Sequence, residues 1–272
     1  MMNVNPIGYM DSGVGGLTVV KEALRQLPNE SVVFLGDQGR LPYGPRDANE
    51  VRRFSEQIAR FELQFDIKMF VIACNTATAA ALPDLQAKMD IPVVGVIAPG
   101  SRAAVSATKN HQIAVLATDG TTKSGAYPEM IAQMDAKAGV VGLGCPDFVP
   151  LVESGKYLKP VAQTIVDAGL DPLATSQVDT VVLGCTHYPL LAPQIQRFFG
   201  KGVTLIDAGK ETVKTITALL DYYQLASPRK GRPNRYFTTG SVVDFNQLAA
   251  EWMPEEHVSA QAVAVSELEA QI

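Results

Sequence analysis

The sequence predicts an α/β fold, built from mainly parallel sheet flanked by helices and repeated in two pseudo-symmetric halves. Three observations predict it. Short β-rich apolar runs alternate with segments of helical period along the chain. A strand–Cys–helix pattern occurs twice, at Cys74 and Cys185 (185 − 74 = 111 positions apart), a spacing about the size of one small α/β domain. The 272 residues, 47% hydrophobic and 19% charged, supply enough apolar material for one large core or two smaller ones.

The first apolar run, residues 7–10, is followed by Leu17, Val20, Leu24 and Leu27 at helical spacing. The second, 32–35, precedes Val51, Phe54, Ile58, Phe61 and Phe65, which share another helix face. Residues 69–73 make an interior strand and the Ala-rich stretch 77–82 a helix, with Cys74-Asn75-Thr76 in the loop between them. Asn75 or Thr76 can cap that helix, whose unpaired N–H groups then face a ligand. Runs at 93–97, 113–117 and 140–143 follow. The run 180–183 ends in Gly184-Cys185-Thr186, with Pro189 near the first turn of the next helix, and 203–206 is the last strand assigned. Sheets of this kind bind ligands just past the carboxyl ends of their strands, which is where both cysteines fall.

Composition excludes several classes of function. The 28 acidic and 23 basic residues are spread evenly, for a formal charge of −5, and no basic run could neutralise a phosphate backbone, so nucleic acid is not an expected ligand. No stretch of eighteen apolar residues occurs, and the start of the chain lacks a basic region followed by an apolar one. A cytoplasmic location away from membranes is therefore expected. The three cysteines, Cys74, Cys145 and Cys185, include no CxxC pair, which argues against both a disulfide scaffold and a zinc site. Gly13, Gly15 and Gly16 lack the third-glycine spacing of a dinucleotide fingerprint, and no downstream ribose-binding acid can be assigned.

A single cysteine at the end of a buried strand is more often a small core residue than a reactive one, and Cys145 is read that way. Two in equivalent positions, each followed by hydroxyl or amide groups, favour a site. Inverting a stereocentre by proton transfer needs one acid/base group on each face of a carbon. Thiols suit that task, because an ordinary Cys pKa of about 8.5 lets one act as thiolate while the other keeps its proton.

The blocks "YMDSGVGGLTV" (9–19), "GDQGRLPYGPR" (36–46), "ACNTAT" (73–78), "FVPLVESG" (148–155) and "LGCTHYPLL" (183–191) resemble, in order, the signature blocks of bacterial glutamate racemases. The resemblance implies a cofactor-independent enzyme that interconverts L- and D-glutamate and supplies the D-enantiomer for peptidoglycan. It also implies two α/β lobes with the active site in the cleft between them. Combined with the strand pattern, this places the first lobe at 1–98 plus 208–272 and the second at 99–207. Pyridoxal phosphate is not used in that family, and a homodimer is the common assembly. The block "VIAPGSRAA" (96–104) departs at Ala98, where many relatives carry an acidic residue. The first motif lies close to the start of the chain, so the extension that resembles an activator site in certain relatives is not expected, nor is regulation by a cell-wall precursor.

By resemblance, Cys74 and Cys185 are the two acid/base groups, with Asp11 assisting near Cys74 and His187, together with Glu153, assisting near Cys185. Taken without it, Asp11-Ser12-Gly13 could be a tight turn with an Asp cap, but a carboxylate just after the first strand, beside a glycine-bearing loop that opens a helix, fits a site better. Glutamate carries two carboxylates, while the site blocks are short of Arg and Lys, so helix N-termini and short donors must hold the anions. Ser12, Asn75, Thr76 and Thr186 are such donors; Tyr43-Gly44 adds a phenol and an approachable backbone, and Thr118, Asp11 and His187 complete the substrate-binding set. Three rivals are less well supported: a racemase for aspartate or another amino acid, against which the "GCTHYP" block favours glutamate; a lyase or decarboxylase, which would need only one thiol; and a protein-binding role such as the gyrase inhibition of some relatives, for which no interaction surface is marked.

Overall fold

The structure is a computed structural model of the chain, and it describes residues 4–270. Two parallel sheets carry the fold. In the first, β1 (Ile7–Asp11) leads into α1 (Leu17–Gln26), β2 (Val32–Gly36), α2 (Ala48–Leu63), β3 (Met69–Ile72), α3 (Asn75–Lys88) and β4 (Val93–Gly95). The chain then passes through α4 (Ile97–Ala107) to the second sheet. That half comprises β5 (Gln112–Ala117), α5 (Asp119–Ser124), α6 (Ala126–Met134), β6 (Gly139–Gly144), α7 (Phe148–Glu153), α8 (Val161–Leu170), β7 (Thr180–Gly184), α9 (Ala192–Phe199) and β8 (Thr204–Asp207). A return segment, α10 (Ala208–Tyr222), β9 (Arg235–Thr238), α11 (Val242–Trp252), β10 (Ala260–Ala262) and α12 (Val265–Glu269), completes the chain.

The strand orders are β10-β9-β2-β1-β3-β4 and β6-β5-β7-β8. Without the two return strands, each half runs second, first, third, fourth. Cys74 follows β3 and Cys185 follows β7, so the two thiols occupy topologically equivalent ends. In each half the chain crosses from one side of its first strand to the other, and crevices open at such switch points. The β-rich runs form strands here because both faces are covered: β1, β2, β3 and β7 are buried at every position. Ile7 and Tyr9 face α1, while Met10 joins the cluster under α2 and α3.

Strand register fixes what the loops present. Ala73 N–H donates to the Met10 carbonyl, setting the loop after β3 beside the end of β1. Ala117 pairs with both Gly184 and Gly144, which puts Thr118, Cys185 and Cys145 at one level. One apolar cluster spans the two halves, from Val14 and Leu17 to Phe148, Leu183 and Tyr188.

Three local expectations are corrected. The apolar run 93–97 leaves the sheet at Gly95, and Ile97 already opens α4. Around Pro189 the chain makes a 3₁₀ turn, Tyr188–Leu191, before α9 starts at Ala192. Neither Asn75 nor Thr76 caps α3: the cap is Cys74, whose Sγ accepts from Ala77 N–H at 3.4 Å.

Candidate active site

A cavity of about 570 Å³ opens between the two sheets at their carboxyl ends. It brings together Ser12, Tyr43, Gly44, Cys74, Asn75 and Thr76 from the first half with Thr118, Glu153, Cys185, Thr186 and His187 from the second. Asp11 lies just behind this wall, 1% exposed. A larger groove of about 760 Å³ at the amino ends of β3 and β4 carries no comparable chemistry, since its Lys68 is tied up by Glu30 at 2.6 Å.

On one side of the cavity the Cys74 thiol donates to Ser12 Oγ at 3.7 Å while its sulfur caps α3. Burial, reinforced by the nearby Asp11 carboxylate, pushes this thiol up to about 12. Asp11 ends β1, and its Oδ2 accepts from Gly13 N–H at 3.1 Å. Burial raises its carboxyl to about 6, against the opposing pull of His187. Cys74 therefore holds its proton near neutral pH, while Asp11, at about 6, is largely ionised there and close enough to neutrality to exchange a proton.

The other side is built in the opposite sense. His187 Nε2 lies 3.0 Å from Glu153 Oε1, and Nδ1 lies 3.9 Å from Cys185 Sγ. Burial alone would discharge this imidazole, but Cys185 and Glu153 outweigh it and raise His187 to about 10. A cation held between Glu153 and the Cys185 sulfur is placed to stabilise negative charge on that sulfur. The ring is steadied edge-on by Trp252 of α11, 5.7 Å between centroids. Gly15 is required here: a Cβ would come within 2.3 Å of Thr186 Oγ1 and 2.5 Å of the His187 ring.

The two thiols thus face one cavity from opposite walls, one set up as donor and the other beside a positive charge. That arrangement can remove a proton from one face of a small substrate and supply one to the other. The model matching residues 7–216 is that of the Asp/Glu/Hydantoin racemases. The chain belongs to the Asp/Glu/Hydantoin racemase family. Among relatives of this racemase, the glutamate racemase of Lactiplantibacillus plantarum is 55% identical over 265 residues, covering 97% of each chain. Among solved structures, a glutamate racemase isoform of Bacillus anthracis superposes with a TM-score of 0.93 at 40% identity, over 96% of this chain and 98% of that one. The glutamate racemase of Francisella tularensis, solved in complex with D-glutamate, gives 0.90 at 30% identity, over 98% and 99%.

Several lining residues of this racemase escaped the reading of its sequence. Lys123 and Asp119 reach the cavity from α5, and Pro146, Val149 and Pro150 form an apolar wall. Lys123 tempers the expectation of a site without cations. Cys145 is 2% exposed, as a core residue should be, yet it also lines the cavity, because β6 ends level with β7. The position after each strand end was the available signal. Among the described residues no cluster of three or more His, Cys, Asp or Glu side chains could hold a metal, and no helix is long and apolar enough to cross a membrane.

Proposed function

We propose that this racemase interconverts L- and D-glutamate without a cofactor, with Cys74 and Cys185 as the two bases. The observation that carries the reading is the pair of thiols on opposite walls of one cavity, each with its own ionisable partner. One sulfur, as thiolate, takes the α-proton and the C–H electron pair stays on the α-carbon. The opposite thiol then gives its proton to the other face, so the two sulfurs end with exchanged protonation states. Asp11 serves Cys74, while His187 and Glu153 serve Cys185. Asn75, Thr76, Ser12, Thr118, Thr186, Tyr43 and Gly44 hold the substrate's charged ends, assisted by the N-terminus of α3. We place the lobe boundaries near 98 and 207, a reading supported by the end of the first sheet's consecutive strands at Gly95 and of the second sheet at Asp207. A cytoplasmic homodimer that feeds D-glutamate to peptidoglycan is part of the same proposal, and it rests on the resemblance to glutamate racemases.

The test is to incubate the purified protein with L-glutamate or L-aspartate, with no added cofactor, and to separate enantiomers by chiral chromatography. Glutamate is expected to run to the racemic mixture. Aspartate, one methylene shorter, leaves donors at one end unpaired and is expected to turn over roughly 10- to 200-fold more slowly. Comparable rates would overturn the substrate assignment, and no racemisation of either would overturn the reaction.

A further inference from the structure

We propose that Tyr127 is a positioning residue: its hydroxyl holds the Asn75 side-chain amide in the orientation that turns the NH2 group toward the substrate. The inference rests on the reading of Asn75 as a substrate donor. Tyr127 belongs to α6 in the second half, is 1% exposed, and donates its hydroxyl to Asn75 Oδ1 at 2.7 Å. Asn75 opens α3 in the first half, immediately after Cys74. The edge of the Tyr127 ring lies against Gly184, where a Cβ would stand 3.3 Å from Cε2. Tyr127 therefore packs on the segment that presents Cys185 and hydrogen-bonds the segment that presents Cys74.

The direction of that bond decides the amide's orientation. The phenol donates to the amide oxygen, and burial first, then Cys185 and Asp207, hold it well above its usual range so that it keeps the proton it donates. An amide whose oxygen is engaged has its NH2 left for a second partner. Asn75 lines the cavity, and a substrate carboxylate there is an acceptor. A flipped amide would set its oxygen against that carboxylate, acceptor to acceptor. The neighbouring position is held the same way, with Thr76 Oγ1 3.0 Å from Thr118 Oγ1 and 3.1 Å from Thr121 Oγ1. The second half thus presets the first turn of α3.

Tyr127→Phe removes the hydroxyl and keeps the ring. Steady-state racemisation by the purified wild type, Tyr127→Phe, Asn75→Ala and the double variant, with melting temperatures, tests the role. Tyr127→Phe is expected to raise KM for glutamate about five- to tenfold, to change kcat less, and to melt within a few degrees of wild type. If Tyr127 acts through Asn75, adding Tyr127→Phe to Asn75→Ala should change KM less than about twofold. Wild-type KM in Tyr127→Phe would overturn the role, and so would an equal increase in both backgrounds, which marks a structural effect independent of Asn75. Asn75→Ala with wild-type KM would overturn it at the earlier step, by removing Asn75 from the substrate site.

Discussion

Asp11 ends β1 fully enclosed, facing the amides of Gly13 and Gly16, and the fold still holds its proton more tightly than water does. Its carboxyl rises from 3.8 to about 6, so folding favours the protonated form. That contribution to stability is complete below pH 3.8 and is lost as pH climbs through about 6, a change on the order of 3 kcal/mol. Denaturant titrations at several pH values are expected to show this slope in wild type and its loss in Asp11→Asn. His187 is also raised, from 6.5 to about 10, so its contribution holds below 6.5 and disappears through 10. Asp11→Asn and His187→Asn should each lose kcat/KM by roughly 10²-fold. Because enantiomers have equal free energy, that loss must be the same in both directions for either variant. The asymmetry belongs in the primary isotope effect on kcat/KM with α-deuterated substrate. His187→Asn is expected to enlarge it for the enantiomer deprotonated by Cys185, and Asp11→Asn for the other. Enlargement for the same enantiomer in both variants would break the pairing of Asp11 with Cys74 and His187 with Cys185.

Helix N-termini and strand ends place these groups, and two glycines let the halves meet. A Cβ on Gly120, in the first turn of α5, would lie 2.2 Å from the Gly44 carbonyl oxygen, a backbone atom that cannot rotate away. Gly120→Ala is therefore expected to part the halves at the cavity mouth and to raise KM about tenfold or more, read from initial rates; an unchanged KM would show that closure does not depend on this contact. The elements that carry Asp11, Cys74 and Cys185 were legible because β1, β3 and β7 are fully buried apolar runs that end in reactive or polar residues. The return strands were not. Arg235–Thr238 and Ala260–Ala262, the second of them at the sheet edge, are short and mix polar with apolar residues, so neither shows as an apolar run. Cys74 as helix cap was also missed, because sulfur is a poor acceptor and Asn75 stood beside it.

Across the whole molecule, the halves share one strand order despite weak likeness in sequence, and this shared order brings residues 111 positions apart (185 − 74) to one cavity. The spacing of the cysteines carried that much. Lys123, Asp119 and Cys145 stayed hidden because their nearness to the site comes from strand register and helix docking, which periodicity does not encode. The central claim, two thiols on opposite faces of one carbon, is tested most directly in heavy water without added cofactor. Deuterium entry at the α-carbon and optical rotation are followed together from a single enantiomer of glutamate, for wild type, Cys74→Ser and Cys185→Ser. The account predicts that early product carries solvent deuterium while recovered substrate carries much less, and that each serine variant nearly abolishes racemisation, since a hydroxyl is too weak an acid and base near neutral pH. Racemisation surviving the loss of either thiol, or equal early labelling of substrate and product, would contradict it.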